Sequence, residues 1–151
     1  MKNSSPEILG WLKTFEQCVQ DENYLAARAL FHPDCYCFGS KAKRTFSLED
    51  LIENQWKKIW PNIQDFCFDF ELLQYRVSES EDLATVVCPW HSVGFHADGR
   101  SYPRDGRVTL IFLKDPTHRR WLAYHTHYSL NPGTPTKTII PKRRIIIKDL
   151  R

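Results

Sequence analysis

The chain has 151 residues, 42% hydrophobic and 26% charged, which suits one globular domain with a sizeable core and excludes a disordered or low-complexity polymer. No apolar run reaches the roughly 18 residues of a membrane helix, so a membrane-spanning role is not expected. The formal charge of +3 divides unevenly: residues 134–151 hold six basic residues and one acid, while the body is slightly acidic and offers no broad cationic face for nucleic acid.

The N-terminus lacks a signal peptide's continuous apolar segment, and the five cysteines, an odd number without a Cys-x-x-Cys pair, suggest buried reduced thiols; together these predict a cytoplasmic protein. Ser5-Pro6 reads as a helix cap and first turn, followed by Ile8, Trp11, Leu12, Phe15, Cys18 and Val19 at the three- and four-residue spacing of one buried stripe. Asp21 then looks like the cap of a second, short helix over 22–30, which Phe31-His32-Pro33 ends. A short aromatic strand follows at 35–39. Ser47 to Asp50 resembles a capping box and opens a third helix that carries Leu48, Leu51, Ile52, Trp56, Ile59 and Trp60 inward until Pro61.

From Asp65 the hydrophobic period changes to two. Phe66, Phe68, Phe70 and Leu72 alternate with more polar neighbours, and a second long strand is expected over 83–95. Asp98-Gly99 and Asp105-Gly106 mark turns before a hairpin whose first strand carries Arg107 and whose second carries His125 and His127. The order, three helices and a short strand and then four long strands, predicts an α+β domain: three N-terminal helices packed on a strongly curved, mainly antiparallel sheet. Residues 1–133 are expected to form the domain and 134–151 a basic C-terminal tail.

Strict alternation would place Arg107, Thr109 and Ile111 on one face of the hairpin, and Trp121, Ala123, His125, His127 and Ser129 together on one face of its second strand. Two imidazoles beside a Trp suit a lined cavity better than a dry core or a water-facing strand. Arg107 is the expected anion site for a ligand carboxylate, unless it is paired inside the protein with Asp69, Glu71 or Asp105. His125 and His127 are the candidate catalytic acid and base, with a hydrogen-bonded core role as the alternative. Trp56, Trp60, Trp90, Tyr36 and Tyr128 are expected as cavity walls and ligand contacts. No metal site is expected, because a third ligand to the His-x-His pair would have to come from afar, and no cofactor motif is present.

The residues Leu30-Phe31-His32-Pro33-Asp34, Gly39-Ser40, Trp56, Trp90 to Phe95, Gly106-Arg107-Val108-Thr109 and Trp121 to Ser129 carry a resemblance to the SnoaL-like branch of the nuclear transport factor 2-like, or ketosteroid isomerase-like, superfamily. That resemblance spans about residues 8–133. It implies a cone-shaped fold with an internal cavity between helices and sheet, and a homodimer formed through the sheet's outer face. Of function it implies a small-molecule ligand, anionic or carbonyl-bearing, with acid/base isomerisation, dehydration or cyclisation as one outcome. A non-catalytic dimeric binding or adaptor domain is the other, since the hub domain of a calcium/calmodulin-dependent kinase has a similar Arg-Thr strand and His-x-His strand. Asp34, Tyr36 and Tyr128 are of the types that isomerase chemistry uses, but no local motif matches them to the isomerase positions.

Overall fold

The structure, a computed structural model, describes residues 5–139. Helix α1 (Pro6–Asp21) begins where the Ser5 hydroxyl accepts a hydrogen bond from the Ile8 amide, and it buries the whole stripe from Ile8 to Val19. It runs through Asp21, so the next cap is Asn23, whose side chain accepts from the Ala26 amide and leaves only a five-residue α2 (Tyr24–Arg28). The third helix opens with α3 (Leu48–Leu51), capped by Ser47, and passes through a π-helical turn at Ile52–Trp56. An α-helical stretch at Lys57–Ile59 and a 3-10 turn at Trp60–Asn62 complete it.

Seven strands form one sheet: β1 (Phe31–Phe38), β2 (Gln64–Phe68), β3 (Gln74–Val77), β4 (Leu83–Phe95), β5 (Ser101–Pro103), β6 (Gly106–Lys114) and β7 (Trp121–Leu130). The order is β1-β7-β6-β4-β2, with β3 and β5 also paired to β4, and only the β1–β7 pair is parallel. The sequence expectation of one long strand from Asp65 gives way to a turn at 69–73 between β2 and β3, which leaves Leu72 exposed. The aromatic strand likewise begins earlier than expected, at Phe31.

Helices and sheet enclose a core of stacked rings. Trp56 and Trp60 lie parallel with centroids 4.8 Å apart, Tyr24 stacks on the other side of Trp60, and Phe15 packs edge-on against Trp60. After β7 the chain crosses to the helices. The Thr138 hydroxyl accepts from the Phe95 amide and donates to the Asn62 carbonyl, and the Tyr102 hydroxyl donates to the Lys137 carbonyl. The remaining basic and isoleucine-rich part of the tail, with Lys142, Arg143 and Arg144, lies outside the described residues.

Candidate functional site

Alternation along the β6–β7 hairpin is interrupted by one residue. Ile111 pairs with His125 but Phe112 pairs with Ala123, so Tyr124 is an extra residue that reverses the facing of everything after it. Trp121 and Ala123 point to the core, and beyond the bulge Thr126 and Tyr128 do so. His125, His127 and Ser129 are turned to the outer face with Ile111, Thr109 and Arg107. Arg107 and the two histidines thus share a face as expected, but Trp121 and Ala123, expected with them, are on the other, and the shared face is not the cavity face.

Arg107 is therefore exposed on the outside of the sheet, and its Nε donates to Ser129 Oγ at 2.8 Å. Among the described residues it makes no ion pair with Asp69, Glu71 or Asp105; Asp69 and Asp105 instead flank His91, each at 3.4 Å. His125 hydrogen-bonds the Tyr36 carbonyl through Nδ1 at 2.6 Å, and His127 packs edge-on against Phe38. Tyr36, 44% exposed, joins this outer surface and is not among the residues that line the cavity of Trp56, Trp60 and Trp90.

Trp56, Trp60, Trp90 and Tyr128 do meet around a cavity of ≈ 40 Å³ between the third helix and the sheet, which Phe15, Phe66 and neighbouring apolar side chains also line. That is space for about three water molecules. Arg104, from the link between β5 and β6, projects into it and is 4% exposed. Its backbone is held on both sides by Ser92, which accepts from its amide at 2.9 Å and donates to its carbonyl at 2.5 Å. Its guanidinium donates through Nη2 to Ser40 Oγ at 2.8 Å and lies 5.4 Å from the Trp90 ring centre. It forms no ion pair among the described residues. Burial alone pulls its pKa down, the mark of a cation removed from water without a carboxylate beside it.

Three further polar atoms at this cavity are buried without a hydrogen-bond partner in the structure: Trp90 Nε1, Tyr128 Oη and Gln55 Oε1. Burial raises the Tyr128 phenol well above its ordinary value, so it stays protonated as a donor. Buried polar groups are rarely left unpaired, because each costs about 1–3 kcal/mol. A guanidinium, an indole N–H and a phenol around one small space form a donor set for an anion or a carbonyl oxygen. Among the described residues no carboxylate and no imidazole lines the cavity, so they supply no side chain of ordinary general-base type there.

Arg104 and Gln55 were not singled out from the sequence, and Ser40 only within the Gly39-Ser40 pair that carries the family resemblance. Arg104 sits between two Asp-Gly turns and reads there as turn polarity. The usable signal was the alternation Tyr102 in, Pro103 out, Arg104 in, Gly106 in. Gln55 was hidden for another reason: the π-helical turn brings it inward together with its neighbour Trp56.

A model of the SnoaL-like domain matches residues 8–132. The chain belongs to the SnoaL-like domain family. No curated protein matches the sequence. Among solved structures, a nuclear transport factor 2-like superfamily protein from Salmonella enterica serovar Typhimurium is 16% identical, with 85% of this chain and 92% of that one covered and a TM-score of 0.69. A ketosteroid isomerase-like protein from Erwinia carotovora atroseptica is 15% identical over 85% and 95% of the two chains, TM-score 0.69. A nuclear transport factor 2-like protein of unknown function from Pseudomonas putida is 17% identical over 89% and 92%, TM-score 0.67. These likenesses establish the cone-shaped fold of helices on a curved sheet for this SnoaL-like domain. Among the described residues no helix is long and apolar enough to cross a membrane.

Proposed function

We propose that this SnoaL-like domain binds a small organic molecule bearing a carboxylate or comparable oxyanion, with Arg104 as the anion-holding residue. The observation that carries this reading is the buried, carboxylate-free guanidinium of Arg104 beside the unpartnered Trp90 Nε1 and Tyr128 Oη. A cation buried without a carboxylate is costly, and a bound anion offsets the cost while pairing the orphaned donors. The lack of a carboxylate or imidazole among the lining residues favours holding a ligand over moving its protons. The role first expected of Arg107 thus passes to Arg104, and His125 and His127 are left without a cavity ligand to act on.

On the outer face Tyr36, Phe38 and Val87 are exposed at 44%, 36% and 47%, and a second copy of the chain is the partner we propose for it. The binding reading is tested by titration calorimetry with carboxylates of one to six carbons. The wild-type protein is expected to bind at least one, Arg104→Met to bind none while melting no lower than wild type, and Arg107→Leu to bind as wild type does. Binding that survives Arg104→Met, or is lost in Arg107→Leu, overturns it.

A further inference from the structure

The cavity around Arg104 also holds a polar group of the opposite kind. Gln55 lines it and is 6% exposed, and its side-chain amide makes no hydrogen bond among the described residues. Its Oε1 is a buried acceptor set among the donors of Arg104, Trp90 and Tyr128. Two features of the fold put the amide there. The π-helical turn at Ile52–Trp56 brings Gln55 inward beside Trp56. Gly39, directly after β1, leaves room for it: an added Cβ would lie 2.3 Å from Gln55 Oε1 and 2.4 Å from Gln55 Cδ. The next residue, Ser40, takes the hydrogen bond of the Arg104 guanidinium. One dipeptide therefore seats both the acceptor and the cation of the cavity.

A buried amide without partners is costly, as it is for Trp90 Nε1 and Tyr128 Oη. A plain carboxylate does not relieve that cost. Its oxygens accept from Arg104, Trp90 and Tyr128, but it has no proton to give to Gln55 Oε1. A carbonyl next to the carboxylate lacks one too. An ammonium has protons to give, yet none of the described residues that line the cavity is a carboxylate that could balance a second cation near the Arg104 guanidinium. A hydroxyl meets both needs, since its oxygen accepts from a donor such as Tyr128 while its proton goes to Gln55. Because a hydroxyl works in either direction, it also suits the amide turned the other way round.

We infer that the ligand of this cavity is a short hydroxy acid, with its carboxylate held by Arg104 and its hydroxyl by Gln55. This rests on the anion-binding reading above and adds the second functional group and the residue that selects it. Room for about three waters, each with a share of about 30 Å³ in the liquid, suits an acid of two or three carbons.

The test compares five three-carbon acids by titration calorimetry on the full chain: propanoate, 2-hydroxypropanoate, 3-hydroxypropanoate, 2-oxopropanoate and alanine. At least one hydroxy acid is expected to bind at least tenfold more tightly than propanoate, 2-oxopropanoate and alanine, because an analogue without the hydroxyl leaves the buried group of the site unpaired. In Gln55→Met, which keeps the volume, the ratio of hydroxy acid to propanoate is expected to fall to about one, with propanoate bound as in wild type and the melting temperature no lower. The wild-type ratios decide the ligand class whether or not that variant folds. Propanoate that binds through Arg104 as tightly as both hydroxy acids overturns the hydroxy acid and leaves the anion site standing, and so does a preference for 2-oxopropanoate or alanine. A hydroxy-acid preference that survives Gln55→Met overturns the role of Gln55. If none of the five binds, the hydroxy acid falls, and the anion site falls with it unless the longer carboxylates bind.

Discussion

Tyr128 shows how stability and binding oppose each other at the level of single side chains. Its phenol is buried, protonated and without a protein partner among the described residues, a placement that costs stability. Tyr128→Phe removes that cost with little change of shape. The variant is expected to gain about 1 kcal/mol in urea unfolding, consistent with the usual penalty for such a group, and to bind carboxylates several-fold more weakly in calorimetry. A loss of stability would mean that the hydroxyl has a partner in solution and is not a spare donor. Tyr128, Trp56, Trp60 and Trp90 were legible as cavity residues from the sequence because large aromatics on buried faces are local pattern. Arg104 was not legible, because its meaning comes from Ser40, Ser92 and Trp90, which lie 64, 12 and 14 residues away along the chain.

Secondary-structure elements place these side chains through two irregularities that a periodic reading passes over. The extra residue Tyr124 turns His125, His127 and Ser129 outward, so counting by two from Trp121 assigned them to the wrong face. The π-helical turn at Ile52–Trp56 similarly brings Gln55 in beside Trp56. Regular stretches were read correctly, as the buried stripe of α1 and the Ser5 and Ser47 caps demonstrate. At the start of β6, Gly106 lies so close to the Ser129 carbonyl and the Trp90 indole that an added Cβ would sit 2.0 Å from the first and 2.4 Å from the second. Backbone cannot give way there as a flexible side-chain tip can. Gly106→Ala is therefore expected to cost about 1–3 kcal/mol, the usual range for overpacking, and to weaken ligand binding by displacing Trp90. Wild-type stability by chemical unfolding, together with an unchanged Trp90 indole N–H resonance, would contradict this.

Viewed as a whole, the molecule separates two surfaces that the sequence had merged. The inner side of the sheet meets the helices around Arg104. The outer side carries Arg107, both hairpin histidines and an exposed aromatic pair, Tyr36 and Phe38, near the parallel β1–β7 edge. If that outer face is covered by a second copy, sedimentation velocity at tens of micromolar should give a dimer, and Phe38→Glu should give a monomer that still binds carboxylates, because it touches only the outer surface. A wild-type monomer would remove the proposed use of that face. The fold class was readable because helix stripes and strand alternation sum over many residues, whereas the separation of the two faces depends on a single inserted one.

Everything proposed for the cavity between helices and sheet depends on Arg104 holding an anion. Its guanidinium Nε–H and the indole N–H of Trp90 can be followed directly by proton–nitrogen NMR while a short carboxylate is titrated in. Both resonances are expected to shift together and saturate with one binding constant, with that of Arg107 Nε–H unmoved. Resonances of Arg104 and Trp90 that stay fixed up to high carboxylate concentration, or that shift only with Arg107, would contradict the account.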